Sequence, residues 1–577
     1  MIFLLACSDY DLNTKVETPG GYDSACLDPG DYDVPQDSGC EVVPEVGGFD
    51  PVIEWQWTVQ ASGYDDIMST PVVGDLDKDG IPEVVFTTFA NGGYTVAGAL
   101  TATSGDGSGD LFSILDAGGY HFYASGGVAL GDIDADGAME ACASGVEVAV
   151  ICVNPDGSLK WAGGTALYGY GFPAFADLNN DGSSEVIYGN QVLDAHGNVL
   201  WTGAGGHGYW QSFAIDLNDD DVLEVVAGNT AYLADGTILW QDGTPDGFGA
   251  AADFDIDGTP EIVHTMPPNL YLTGSDGVPR WAVPIPGGGG GPPTVADFDG
   301  DGYPEVGVAG AYYYTVFETD GSVLWSQPVQ DYSSSVTGSS VFDFEGDGAA
   351  DVVYGDEVTL WVYDGATGAV KLLDDGHASG TLYEYPLIVD VDNDGATEIV
   401  VASNDYAYAG WHGITVIGDR NNSWRPSRTI WNQFAYSITN VSDDGAIPRY
   451  QPPNWRRWNN FRTGGTSLGL SDQLANLVVG SPIVCGCGEE TVDILVPVEN
   501  TGLADTTEFV VAGFESSRQR LFEASLSLAA GRGRYVGPFT VSQAEWAKLT
   551  IEADIEGVIE ECQESDNAVS PSGKECE

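Results

Sequence analysis

The sequence predicts an all-β protein: an eight-bladed calcium-binding β-propeller, with seven blades as the alternative, followed by a small β-sandwich. Three observations carry this expectation. An acidic loop recurs eight times at a mean spacing of 45 residues, and repeats of that length in β-rich material indicate a propeller. Short apolar runs flank each loop, such as Pro71-Val72-Val73 and Val84-Val85-Phe86, and read as the two strands of a hairpin. Glycine makes up 78 of 577 residues with no collagen period, which implies many tight turns.

Charge narrows the range of partners. The 18 Lys and Arg against 88 Asp and Glu give a formal charge of −70, a field that repels nucleic acid and anionic lipid. A hydrophobic content of 43% is too high for a disordered chain, so this one folds despite its charge.

Taken from its start, the chain opens Met1-Ile2-Phe3-Leu4-Leu5-Ala6-Cys7-Ser8. The run resembles a bacterial lipobox, which implies lipidation of Cys7 and an anchored place at the outer membrane and cell surface; a secreted protein is the alternative. No basic segment precedes the run, and a true start upstream of Met1 would account for that. Residues 1–7 thus read as a signal remnant. Residues 8–50, rich in Asp, Pro and Gly, read as an acidic flexible tether. No other apolar run has the length of a membrane span, so membrane contact is expected through the lipid alone.

The propeller is assigned to residues 51–420. Its loops carry Asp75, Asp77, Asp79 and Glu83; Asp132, Asp134, Asp136 and Glu140; Asp177, Asn179, Asp181 and Glu185; Asp216, Asn218, Asp220 and Glu224. Four more follow: Asp253, Asp255, Asp257 and Glu261; Asp297, Asp299, Asp301 and Glu305; Asp343, Glu345, Asp347 and Asp351; Asp390, Asp392, Asp394 and Glu398. Calcium is a hard cation that takes roughly six to eight oxygens, and side chains at positions 1, 3 and 5 of a curled loop converge on one point. Glycine at position 6 makes the sharp turn and the acid at position 9 closes the shell. Up to eight Ca2+ ions are therefore expected. The fourth loop has Asp221 where the others have glycine, and the seventh has the longer Glu345 at position 3. The first interval, 57 residues, is longer than the rest and keeps seven blades open as an alternative.

A second hairpin ends in tryptophan: Asp156-Gly157 to Trp161, Gly197 to Trp201, Asp235-Gly236 to Trp240, Asp276-Gly277 to Trp281 and Asp320-Gly321 to Trp325. Two hairpins per repeat make one four-stranded blade, and the tryptophans read as packing between blades in preference to sugar-binding platforms. Trp55-Gln56-Trp57 resembles the same outer strand and is expected to complete the last blade. On these motifs residues 50–420 resemble the FG-GAP or VCBS repeats of bacterial surface proteins, related to the propeller of integrin α-subunits. That resemblance implies calcium on loops at one rim.

Residues 421–467, with Arg420 just before them, concentrate arginine among aromatics: Arg425, Arg428, Arg449, Arg456, Arg457 and Arg462 beside Trp424, Trp431, Phe434, Tyr436, Trp455, Trp458 and Phe461. We read this segment as an internal clasp whose arginines pair with propeller carboxylates, with a ligand site as the alternative. Residues 468–577 alternate in the manner of short strands, and Val498-Glu499-Asn500-Thr501-Gly502 with Ala529-Ala530-Gly531 resembles a CARDB domain, a bacterial adhesion-associated sandwich. Setting Cys7 aside, eight cysteines remain, which suits an oxidising compartment. Cys26 is expected to pair with Cys40, Cys142 with Cys152, and Cys485, Cys487, Cys562 and Cys576 among themselves in an order the spacing leaves open.

Catalytic signals are poor. No His-Glu-x-x-His pair occurs, and the Gly-x-Ser-x-Gly match at Gly465–Gly469 lacks a strand-turn-helix setting. The expected function is that of a calcium-binding cell-surface adhesion or ligand-binding protein, monomeric and not an enzyme, whose partner is a surface protein or a glycan. The alternatives are a calcium-dependent polysaccharide-active enzyme of lyase-like propeller type and a passive envelope component.

Overall fold

The computed structural model describes residues 31–34, 48–465 and 475–571, apart from 59–62, 167–169, 219, 221, 489, 503, 505, 507–508, 517, 556–558 and 560–566. The Cys7 lipobox, Cys26, Cys40, Asp221, Cys562, Cys576, the side chain of Cys487 and most of Gly465–Gly469 lie outside the described residues. The chain divides into two compact units, residues 43–469 and residues 1–42 with 470–577. Among the described residues no helix is long and apolar enough to cross a membrane.

In the larger unit the apolar runs flanking each acidic loop pair as antiparallel strands. Val128–Gly131 pairs with Glu140–Ser144, then Val150–Val153, then Leu159–Gly163. Cys142 and Cys152 face each other across the middle pair and form a disulfide. The same four-strand order recurs from Ala174–Ala176, Phe213–Ile215, Phe248–Ala252, Thr294–Ala296 and Ser340–Phe342. The sheet that begins at Val72–Gly74 has six strands, because Asp116–Ala117 and Tyr120–Tyr123 are added to it. Those extra residues explain the long first interval. First strands lie side by side in chain order, and they and the second strands are almost wholly buried, which is why their sequences are continuous apolar runs. Fourth strands are the most exposed of each sheet, as in Val199–Thr202, where only Trp201 is half-buried.

The last sheet joins both ends of this unit. Pro51–Trp57 runs antiparallel to Gly413–Asp419 as a fourth strand beside Leu387–Val389 and Glu398–Ser403. Trp57 Nε1 donates to Asp110 Oδ1 of the first sheet at 2.7 Å. Four fourth-strand tryptophans bond the sheet that follows their own: Trp201 to Ala234 O at 2.8 Å, Trp240 to Ser275 O at 2.8 Å, Trp281 to Thr319 O at 3.0 Å and Trp325 to Gly365 O at 2.5 Å. The Trp201 ring lies on Gly236, where φ is +84° and a Cβ would come within 2.7 Å of it, so the turn demands glycine twice over. Trp55 covers Gly107 of the first sheet in the same way. The tryptophans thus pack between sheets.

Residues 420–465 fall within this unit, and many of their side chains, Trp431, Tyr436 and Arg462 among them, are buried in it. First strands leave an inner edge unpaired, and edges of that kind seek partners. Trp431 and Val73 exchange backbone bonds of 2.9 and 3.0 Å, as Phe461 and Val295 do at 2.8 and 3.1 Å. Leu130 N donates to Asn432 O at 2.7 Å, Phe175 N to Gln433 Oε1 at 2.8 Å, Asp253 N to Asn459 Oδ1 at 2.7 Å, and Asp390 N to Arg428 O at 3.0 Å. The clasp expectation needs correcting in its chemistry. Arg420 and Arg425 do meet Asp50 and Asp343, at 3.0 and 3.3 Å. Arg428, however, pairs with Asp443 of its own segment at 2.6 Å, and Arg462 meets backbone carbonyls.

In the smaller unit one sheet holds Leu477–Val479, Ile483–Cys487, Thr491–Asn500 and Arg532–Ser542, and another holds Phe509–Phe514, Arg520–Leu526, Thr550–Glu552 and Ala568–Val569. Their apolar faces share a core that includes Val492, Ile494, Phe509, Trp546 and Ile551. Cys485 is disulfide-bonded. The tether expectation fails at Asp31–Asp33, which pairs with Arg532–Arg534 as an edge strand of this unit. Tyr32 supplies the reason: it lies over Gly533, packs 4.9 Å from the Tyr535 ring and donates to Glu499 at 2.9 Å.

Candidate metal centres

All eight acidic loops link the first and second strands of a sheet, and among the described residues a common set of bonds recurs in most of them. The position-1 aspartate accepts the N–H of the position-6 glycine, as Asp177 does from Gly182 at 2.7 Å and Asp253 from Gly258 at 2.8 Å. The position-5 aspartate accepts the N–H of position 7, as in Asp301 from Tyr303 at 2.9 Å. The position-9 glutamate turns back to accept the N–H of position 2 through Oε2: Glu83 from Leu76 at 2.8 Å, Glu305 from Phe298 at 2.7 Å, Glu398 from Val391 at 2.9 Å. Position 4 has positive φ even where it is not glycine, at Lys78, Ala135, Asn180, Ile256 and Asn393. The 1-3-5-9 spacing carries no hint of that requirement.

These bonds occupy some oxygens and leave others facing inward. Carboxylate oxygens lie within 4.8 Å of one another in Asp75, Asp77 and Glu83; Asp132, Asp134 and Asp136; Asp253, Asp255 and Glu261; Asp297, Asp299 and Asp301; and Asp390, Asp392 and Glu398. Glu305 is fully buried and its Oε1 has no hydrogen-bond partner; Asp75 Oδ1 is likewise buried and unpartnered. Such atoms cost free energy unless a cation or donor meets them. An all-oxygen, mostly anionic set suits a hard divalent cation, so these loops could hold metal ions.

The eight loops are not equivalent. In the third and fourth, Asn179 Nδ2 donates to Glu185 Oε1 at 2.9 Å and Asn218 Nδ2 to Glu224 Oε1 at 3.0 Å, which satisfies the oxygen left free in Glu305. In the second and seventh, Lys160 and Lys371 approach the acids. The first, fifth, sixth and eighth keep four carboxylates each.

Burial dominates the titration of the position-9 acids, reinforced by the aspartates around them. Glu83, Glu185, Glu224 and Glu261 are pushed up to about 7, Glu305 to about 8 and Glu398 to about 10. A carboxyl group whose folded pKa is raised contributes stability below its unfolded value and loses it as pH climbs through the folded value. We therefore expect the metal-free protein to melt lower at pH 8 than at pH 5, with added calcium reversing the loss at pH 8. A chelated sample whose melting temperature rises between those pH values would contradict this.

Because strands alternate direction, the acidic loops and tryptophan turns share one end of each sheet, and the sheet-to-sheet connections lie at the other. There Tyr170, His207, Tyr209, Trp210, Asp246, Met266 and Tyr383 line a cavity of about 460 Å³. His207 stacks on Trp210 at 4.3 Å, and Asp246 accepts the backbone N–H groups of His207 and Gly208 at 3.0 and 3.1 Å. Sequence reasoning missed this cavity because its aromatics come from separate connections and form no local motif.

No family model and no curated protein matches the chain. Among solved structures it is similar to the V. cholerae biofilm matrix protein Bap1, at 19% identity and a TM-score of 0.67, over 73% of this chain and 99% of that one. Rhamnogalacturonan lyase YesW aligns at 18% identity and a TM-score of 0.45 over 74% and 81% of the two chains, and the Dos1 propeller at 10% and 0.41 over 63% and 94%. The Bap1 likeness and the succession of four-stranded sheets define the class: an all-β, β-propeller-like protein.

Proposed function

We propose that the larger unit is an eight-bladed propeller of FG-GAP or VCBS type that binds calcium in its acidic loops. The protein acts by binding a partner outside the cell and not by catalysis. The observation that carries the metal reading is the buried, unpartnered Oε1 of Glu305 inside a loop whose Asp297, Asp299 and Asp301 oxygens converge. Metal there rigidifies one end of the propeller. The printed description of Bap1, a biofilm matrix protein, agrees with a surface or secreted location, as does the lipobox reading of Cys7 and the CARDB resemblance of the smaller unit.

The test is retention of the full chain on immobilised bacterial surface polysaccharides and surface proteins, with calcium and with chelator. Calcium-dependent retention on a defined class supports the reading, and equal behaviour in both buffers sinks it. A polysaccharide-active enzyme is the second reading, favoured by His207, Tyr209 and Asp246 in one cavity. Ultraviolet absorbance from an unsaturated sugar product would establish it; none is expected.

A further inference from the structure

We propose that the second and seventh acidic loops bind no calcium, because the chain supplies their cation itself through Lys160 and Lys371. The proposal rests on the calcium reading of the other loops. It is carried by where the two ammonium groups lie. Lys160 Nζ is 2.7 Å from Asp134 Oδ2, 2.8 Å from Glu140 Oε1 and 3.7 Å from Asp136 Oδ2, so it meets three of the four acids expected to ligate metal. Lys371 Nζ pairs with Glu345 Oε1 and lies 2.7 Å from Asp351 Oδ2. The remaining charge at position 1 of that loop, Asp343, is met by Arg425 at 3.3 Å.

A recurrent backbone irregularity delivers both lysines. In each fourth strand the register slips by one residue beside the tryptophan position, a β-bulge that turns the extra residue out of the ladder. Lys160 is that residue between Leu159 and Trp161, and Lys371 is that residue between Val370 and Leu372. At the same position other sheets carry Leu200, Leu239 and Leu324, which bring no charge, the fifth-loop sheet carries Arg280, which pairs with Asp276 of its own turn at 3.5 Å, and the last sheet carries the acid Glu54. The acids of the seventh loop have changed with the lysine. Position 9 is Asp351 in place of glutamate and position 3 is Glu345 in place of aspartate, so the shorter acid leaves room where the ammonium sits.

Competition decides against a metal in these two loops. An ammonium offers three donors to the carboxylate oxygens that calcium would bind at about 2.4 Å. Both cations would then share one cage a few Å apart, at strong mutual repulsion. Lys160 and Lys371 side chains are only 14% and 19% exposed, so neither swings freely into water. Loops with an internal cation keep their shape without metal, and loops without one depend on it.

The experiment is equilibrium dialysis of the metal-stripped full chain against calcium, with bound ions counted by elemental analysis. The wild type is expected to saturate at no more than six ions, and Lys160→Met to gain one. In chelator, Lys160→Met is expected to melt below the wild type, and saturating calcium to close that gap. Saturation of the wild type at more than six ions overturns the proposal while leaving the calcium reading intact. An unchanged count in a folded Lys160→Met protein also overturns it. A wild type that binds none removes the calcium reading, and this proposal with it. The wild-type count needs no variant, so a misfolded mutant cannot hide the answer.

Discussion

Stripped of calcium by a chelator at neutral pH, the protein is expected to melt roughly 10 °C lower than it does with calcium in excess. The size follows from linkage. An ion that binds only the folded loop adds about 2.7 kcal/mol at a free concentration one hundred times its Kd. Four all-carboxylate loops together then add about 11 kcal/mol. Unfolding a unit the size of residues 43–469 releases an entropy of about 0.9 kcal/mol/K, so each kcal/mol moves the midpoint by about 1 °C. The cause is repulsion as much as lost bonds. Without metal, the oxygens of Asp297, Asp299 and Asp301 crowd together within one turn, beside Glu305, whose buried carboxyl is pushed up to about 8. Differential scanning calorimetry in calcium, magnesium and chelator measures the effect, and coincident transitions in all three would refute it.

Replacing Arg462 with methionine is expected to cost about 3 kcal/mol, and lysine at this site to restore only part of that. Arg462 is fully buried, yet among the described residues it meets no carboxylate: its Nη1 donates to Pro293 O at 2.6 Å and Gly249 O at 3.4 Å, and its Nε to Phe434 O at 3.3 Å. The guanidinium lies 5.0 Å from the ring centres of both Phe434 and Phe461. Burial pulls its pKa down to about 10, which still leaves it charged at neutral pH. One planar cation thus joins residues 434 and 462 of the central segment to two neighbouring sheets. Methionine fills the volume and strands the carbonyls, and an ammonium cannot reproduce the fork. Urea denaturation of the variant measures the cost, and a loss below about 0.5 kcal/mol would show that the carbonyls find other partners.

Much of this architecture could be read from local spacing, because its parts are local. Asp75 to Glu83 is one turn, so its 1-3-5-9 pattern shows in nine consecutive residues. Gly236 and Trp240 are four apart, and their packing role shows as a repeated phrase. The pairing of Pro51–Trp57 with the last sheet was also legible, since Trp55 stands without the other strands of its sheet. What escaped reading depends on contacts far apart in sequence. Lys160 lies 20 residues beyond Glu140 and reaches it through a bulge that leaves no trace in composition. The arginines of residues 420–465 looked like partners for a surplus of acid, but Arg462 is held by carbonyls, which every residue has and no sequence pattern marks. Asp31–Asp33 reads as solvated chain, and what holds it as a strand is the contact of Tyr32 with Gly533, Tyr535 and Glu499, far along the sequence.

The most direct test of the metal reading is a long-wavelength anomalous difference map from a crystal grown in calcium. Peaks are expected in the first, fifth, sixth and eighth loops, about 2.4 Å from the oxygens of their acids, with Lys160 and Lys371 density in place of peaks in the second and seventh. Well-ordered loops that show no anomalous peak at saturating calcium would contradict the account.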